Sequence, residues 1–137
     1  MNKEIHLDKT KSIKYIQDIF QSEFPFLRID FYSAPQKAKP RFKLTNPNTT
    51  LGQLAENILP GVIQIDEKKK VGDLEAELKS RFGLNVQVLR KSGNSWLETT
   101  LTDDWTLEKQ NKEGELLHNT PILPNDEVID KDLLDPE

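Results

Sequence analysis

Two stretches of twenty residues share one pattern of apolar and polar positions. The first, "IHLDKTKSIKYIQDIFQSEF", covers 5–24, and the second, "IQIDEKKKVGDLEAELKSRF", covers 63–82. Each opens with apolar residues at every second position, which is typical of a half-buried strand. Each then carries an apolar stripe with spacings of three, four and four residues, which predicts an amphipathic helix. The stripes are Ile13, Ile16, Phe20 and Phe24, and Val71, Leu74, Leu78 and Phe82.

The same order of elements continues beyond the two predicted helices. Pro25 breaks the first helix and Gly83 breaks the second, by different means. A strand, a turn, a further extended run and a short helix are then predicted in each copy. The extended runs are 27–34 and 41–45 in the first copy, and 85–92 and 95–100 in the second. The turns differ, because Ser92-Gly93-Asn94 is typical of a tight hairpin whereas "APQKAKP" is long.

The recurrence predicts an internal duplication. Only five of the twenty aligned positions are identical, so the inference rests on the shared pattern and element order. The alternative is that two unrelated strand–helix units share generic patterning. We predict an α+β fold of two tandem β-α-β-β-α repeats, 1–60 and 61–118, with helices layered on a mainly antiparallel sheet. Residues 119–137 lack a sustained period and are predicted to be a flexible, acidic tail.

Residues 86–111, "VQVLRKSGNSWLETTLTDDWTLEKQN", resemble the helix-following half of ubiquitin-like folds. In those folds a strand, a tight turn, a short strand and an Asp-x-x-Thr-Leu turn follow one another. The resemblance implies that Asp103, Thr106 and Leu107 form that turn. However, one strand rather than a hairpin precedes each predicted helix. The element order over 4–66 is equally that of a ferredoxin-like unit, and the sequence leaves both open.

Charge is distributed unevenly along the 137 residues. Residues 1–50 hold nine Lys or Arg against five Asp or Glu, whereas 115–137 hold one against seven. The basic part includes a cluster around the long hairpin turn, formed by Lys37, Lys39, Arg41 and Lys43. A basic front and an acidic end indicate a charged partner rather than a particular fold.

Catalytic and metal-binding patterns are absent from the sequence. The chain has no cysteine, no Gly-rich phosphate loop and no Gly-x-Ser-x-Gly elbow. His6 and His118 lack partners at metal-ligand spacing, and the acidic residues that recur stand where Asp caps helices or forms turns. Those residues are Asp8, Asp66, Asp103 and Asp104. We therefore expect no enzyme, metal, cofactor or small-molecule substrate.

The remaining features favour an interaction protein. No apolar run could span a membrane and no signal-peptide core is present, so we expect a cytoplasmic protein. Tryptophan is usually a core residue, but on a surface it is a frequent binding hot spot. We expect an adaptor-like module that binds a protein with an acidic surface. Its candidate binding residues are Lys37, Lys39, Arg41, Lys43, Trp96 and Trp105. The alternative is a nucleic-acid-binding module that uses the basic hairpin at 37–43, which the sequence pI of about 5.3 disfavours.

Overall fold

Helices and strands alternate along residues 3–34 and 40–119, the part of the chain that the computed structural model describes. The strands are β1 (Glu4–Leu7), β2 (Leu27–Tyr32), β3 (Gly61–Gln64), β4 (Asn85–Ser92) and β5 (Ser95–Glu98). The helices are α1 (Ile13–Glu23), α2 (Leu51–Leu54), α3 (Val71–Phe82) and α4 (Leu107–Asn119). One turn of 3-10 helix, Thr100–Thr102, precedes α4. Lys37, Lys39 and nearly all of the predicted tail lie outside the described residues.

The strands form two antiparallel sheets. β1 pairs with β3, and β2, β4 and β5 form a second sheet in that order. The predicted α+β class is therefore confirmed. Each sheet contains one strand from before residue 60 and at least one from after it, so the two segments share both sheets.

The apolar stripes predicted for α1 and α3 form the centre of the core. All eight residues are buried, and they belong to one cluster that also contains side chains from β1, β2, β3 and β4. Ser12 caps α1, since its side-chain oxygen accepts the N–H of Tyr15 at 3.1 Å. Gly83 ends α3 in the left-handed conformation that favours glycine, with φ of 70°.

Backbone hydrogen bonds at the start of α1 recur at the start of α3. In both places the residues around the start of the helix form two backbone hydrogen bonds with the residues around the start of the next helix, at distances of 2.8–3.0 Å. The donor–acceptor pairs are Ile13–Thr49 and Leu51–Lys11, and then Val71–Trp105 and Leu107–Lys69. This recurrence is what a duplicated unit would require.

Strand pairing also brings corresponding positions together. Ile5 pairs with Ile63, and these are the first residues of the two twenty-residue stretches. Asp30 pairs with Gln87 at the middle of the β2–β4 pair, and both side chains are buried. These two positions correspond if the alignment of the halves shifts by one residue after the helices. An internal two-fold relation between the halves would produce both pairings, and the duplication itself stays a prediction.

The final helix is longer than the short helix expected from the sequence. α4 has thirteen residues, and His118 lies in its last turn. Gly114 allows α4 to lie close to the chain before β2, because a Cβ there would stand 2.9 Å from Phe26. Its first turn is capped by Thr106, whose hydroxyl accepts the N–H of Lys109 at 3.1 Å, and not by an aspartate.

The extended run predicted at 41–45 is reduced to a single antiparallel bridge between Tyr32 and Lys43. Pro40 and Pro47 stand on either side of it, and proline cannot donate to a strand ladder. The run nevertheless covers the free edge of β2, since Leu44 N–H donates to Phe31 O at 2.8 Å.

Truncation of either stripe-ending phenylalanine should destabilise the protein strongly. Phe24 and Phe82 are both buried, so Phe24→Ala and Phe82→Ala should each lower the free energy of unfolding by roughly 3–5 kcal/mol. Phe42 is 60% exposed, so Phe42→Ala is a matched control that should change stability by less than about 0.5 kcal/mol. Urea unfolding of the three variants measures these losses. A core variant as stable as the control would show that its phenylalanine does not hold the core.

Candidate functional site

The three-stranded sheet has an apolar inner face and a polar outer face. Side chains at alternate positions of β2 and β4 point inward and join the core, namely Leu27, Ile29, Phe31, Val86 and Val88. The other positions form what we call the outer face, together with Lys43, which bridges to Tyr32, and Arg41, which lies over the Tyr32 ring. Its strand residues are Arg28, Asp30, Tyr32, Asn85, Gln87, Leu89, Lys91, Trp96 and Glu98.

A buried carboxylate, Asp30, organises the outer face. Arg28 donates two hydrogen bonds to it, from Nε to Oδ1 at 2.9 Å and from Nη2 to Oδ2 at 3.1 Å. Lys43 Nζ lies 3.5 Å from Oδ2. Asp30 is only 3% exposed, and a buried carboxylate needs such partners. It therefore holds two cations in place beside a cleft of about 320 Å³ next to α1.

Aromatic side chains extend this arrangement. The Arg28 guanidinium carbon lies 5.6 Å from the centre of the Trp96 ring, and Lys91 Nζ lies 5.0 Å from it. The Arg41 guanidinium carbon lies 4.2 Å from the centre of the Tyr32 ring. Cation–π contacts at these distances keep the long cationic side chains ordered against the sheet. The outer face is thus a fixed pattern of cations and aromatic rings.

The structure brings some of the predicted binding residues together and separates others. Arg41, Lys43 and Trp96 all lie on the outer face. Trp105 instead contacts Arg90 and Lys109, at 5.5 and 4.3 Å. Arg90 and Lys91 are consecutive in β4, so their side chains point to opposite faces of the sheet. Trp96 and Trp105 therefore contact cations on opposite faces of the sheet, and the structure does not bring the two rings together.

Sequence reasoning missed Arg28, Asp30, Tyr32 and Lys91. The signal was present in "LRIDFY", where the charged residues Arg28 and Asp30 stand two apart in a predicted strand. Side chains at that spacing share a face, so the pair could have been placed beside the basic hairpin. No sequence pattern gives the burial of Asp30, because it depends on the pairing of β2 with β4.

A second carboxylate, Glu75 of α3, lies where β5 leaves the sheet. Its Oε2 accepts the N–H of Val88 at 2.8 Å. Burial raises the pKa of Glu75 to about 7; the Val88 hydrogen bond and Arg41 lower it, and Asp103 raises it further. The cleft at this carboxyl has a volume of about 290 Å³. A carboxyl that titrates near neutral pH could exchange a proton, but no aligned nucleophile or base stands beside it in the described residues.

The remaining candidate acids and histidines have local structural roles. Asp8 Oδ1 accepts the N–H of Thr10 at 2.8 Å, and Asp66 Oδ1 accepts the N–H of Lys68 at 2.9 Å, as expected of turn residues. His6 is exposed, 3.8 Å from Glu4. Within 3–34 and 40–119 no group of three acidic or histidine side chains could hold a metal ion. No helix in these ranges is long and apolar enough to cross a membrane.

Comparison with known proteins does not assign the chain to a family. No protein family matches its sequence. No curated protein matches it, and no solved structure matches it. The function must therefore be inferred from the chain itself.

The raised pKa of Glu75 predicts a pH-dependent stability. Between its ordinary value of 4.5 and about 7, the folded protein holds a proton on Glu75 that the unfolded chain has lost. Stability should therefore fall as pH rises through this window. Glu75→Gln should remove that fall and stabilise the protein at about pH 8 relative to wild type.

Urea unfolding at about pH 5 and about pH 8 tests this expectation. Glu115→Gln, at an exposed position of α4, is the control and should leave the wild-type pH dependence intact. If Glu75→Gln retained the wild-type dependence, another group would be responsible for it.

Proposed function

We propose that the protein is a cytoplasmic, non-enzymatic interaction module that binds another protein with an acidic surface through its outer face. The cations of that face carry the proposal. The outer face carries two carboxylates, Asp30 and Glu98, and four cationic side chains, which are Arg28, Arg41, Lys43 and Lys91. Positive charges therefore outnumber negative ones on this face. A chain with a net charge of −4 thus presents a positive area on one side.

The order of these side chains supports the proposal. Asp30 fixes Arg28 through two hydrogen bonds. Arg28 also lies over the ring of Trp96, and Arg41 lies over the ring of Tyr32. Ordered side chains lose less conformational entropy on binding than free ones do. Arginine, tryptophan and tyrosine are also the residue types that contribute most to protein interfaces.

Two further lysines stand close to Arg41 and Lys43 in the sequence. Lys37 and Lys39 belong to the segment that connects Ala34 to Pro40, and their charges would add to those of Arg41 and Lys43. Complementary charge mainly accelerates association and selects partners, and salt screens it. The proposed duplication fits the same interpretation, since the second copy has a short turn in place of this segment.

Charge reversal on the outer face should abolish binding without unfolding the protein. Arg41→Glu together with Lys91→Glu leaves the bonds from Arg28 to Asp30 intact, so stability should change by less than about 0.5 kcal/mol. Proteins captured by the immobilised wild type from a lysate of the source organism should be absent with this variant. The affinity of a purified captured protein should fall at least about tenfold at low salt.

A matched control reverses two charges on the other side of the sheet. Lys109→Glu with Lys112→Glu alters α4, which packs on the inner face, and should retain binding. Loss of binding only in this control would move the site to the Trp105 side. Captured nucleic acid with a steep salt dependence would favour the alternative module.

The loop lysines give an independent test. Lys37→Glu with Lys39→Glu should weaken binding of the same captured protein, with an effect that diminishes as salt is added. Titration calorimetry at low and high salt measures it, with melting temperature as the stability check. Equal affinity of variant and wild type at low salt would remove these two lysines from the site.

A further inference from the structure

β5 is an edge strand whose second side has no strand partner among the described residues. Thr99 N–H donates to Val88 O at 3.3 Å, which fixes the alternation of hydrogen bonds between β4 and β5. At this register Ser95 and Leu97 bond toward β4. The backbone N–H and C=O groups of Trp96 and Glu98 consequently point away from the sheet.

The free edges of β3 and β2 are covered. Arg81 Nη1 donates to Val62 O at 3.0 Å, and Lys69 Nζ donates to Gln64 O at 2.9 Å, so side chains cap carbonyls along β3. Residues 42–44 cover the edge of β2. Proteins commonly protect edges in such ways because an open edge pairs readily with another chain. No such cap is found on β5 within the described ranges.

Exposed apolar side chains stand beside this open edge. Leu97 of β5 is 43% exposed, and Leu101 in the following 3-10 turn is 97% exposed. Lys91 and Arg28 approach Trp96 on the outer face. The edge thus has an apolar side and a positively charged side.

We propose that β5 binds an extended segment of the partner protein as an added β-strand, and that acidic and aliphatic residues alternate in this segment. The proposal rests on the proposed function and gives its mode of binding. The added strand would pair with the outward backbone groups of Trp96 and Glu98, since main-chain bonds supply affinity in this mode.

Side-chain chemistry sets the sequence that fits. Successive residues of a strand point to opposite faces, so every second residue would meet the outer face. An acidic residue fits on this face, because Lys91 and Arg28, which meet the Trp96 ring, outnumber the carboxylate of Glu98. Residues on the opposite face would cover Leu97, so Val or Ile fits there.

The test uses a labelled synthetic peptide of about ten residues in which Asp or Glu alternates with Val or Ile. Binding to the full chain is followed by fluorescence anisotropy, and the same peptide with Lys for each acidic residue should not bind. Glu98→Pro removes an outward N–H while leaving the bonds of Leu97 and Thr99 toward β4. It should weaken peptide binding at least about tenfold, with the melting temperature unchanged. The control, Glu98→Gln, keeps the N–H and should bind at least as well as wild type.

Several outcomes would overturn this mode of binding. No binding of the acidic peptide to wild type, or equal binding by the Pro and Gln variants, would do so. If Glu98→Pro does not fold, the wild type is tested with two N-methylated forms of the peptide. One form is methylated at its odd-numbered residues and the other at its even-numbered residues. Undiminished binding of both methylated forms would exclude strand pairing.

The outcomes separate this inference from the proposed function. If the outer-face charge reversal abolishes partner capture but Glu98→Pro leaves it intact, the partner binds the face and not the edge. If neither variant affects capture, both proposals are wrong. A dimer of the wild-type chain in sedimentation that Glu98→Pro dissociates would assign β5 to a second copy and overturn the choice of a partner segment.

Discussion

Pairing of strands across the two halves is the constraint on which the fold depends. β1 of the first half pairs with β3 of the second, and β2 pairs with β4. A unit of about 60 residues buries too little surface to be more than marginally stable by itself. The stripes of α1 and α3 enter one shared core, so each half supplies the surface that the other needs. Segments 1–60 and 61–118 are thus comparable in pattern but share one folded structure.

The same pairing creates the polar centre of the outer face. Asp30 lies in the middle of β2, opposite Gln87, and its burial follows from the position of β2 beside β4. Burial of this carboxylate without partners would cost several kcal/mol. The contacts with Asp30 that avoid this cost also hold Arg28 and Lys43 in place. The buried carboxylate of Asp30 therefore also orders the cations that we assign to binding. Removing Asp30 would disturb stability and surface together, so the charges more distant from it are better probes of function.

Sequence patterns predict the local elements well and the contacts between distant residues poorly. The stripes ending at Phe24 and Phe82 gave both long helices, because a helix repeats every 3.6 residues whatever its partners are. The packing of α4 against the chain before β2, where Gly114 lies close to Phe26, was not predictable in this way because it is a contact between distant residues. The separation of Trp96 from Trp105 was missed for the same reason.

Electrostatic environment was also beyond the sequence. Glu75 occupies an ordinary helical position, and its raised pKa results from burial beside the end of β5. At the corresponding position of α1 stands Gln17, whose amide donates to Ile29 O at 2.8 Å. Each side chain hydrogen-bonds a backbone group of the adjacent strand at a point where the neighbouring segment leaves the sheet. The carboxyl of Glu75 titrates, whereas the amide of Gln17 does not.

Positions of β2 and β4 that would correspond in a duplicated fold differ on the outer face, and this difference supports the proposed binding site. Inward positions of β2 and β4 are apolar in both strands, because the shared core accepts nothing else. Outward positions differ: Arg28 and Asp30 in β2 correspond to Asn85 and Gln87 in β4, if the alignment shifts by one residue after the helices. In β4 neutral amide side chains occupy these positions, so folding does not require charged side chains there. Stability alone therefore does not explain the charged pair on β2, which supports the proposal of a charged partner.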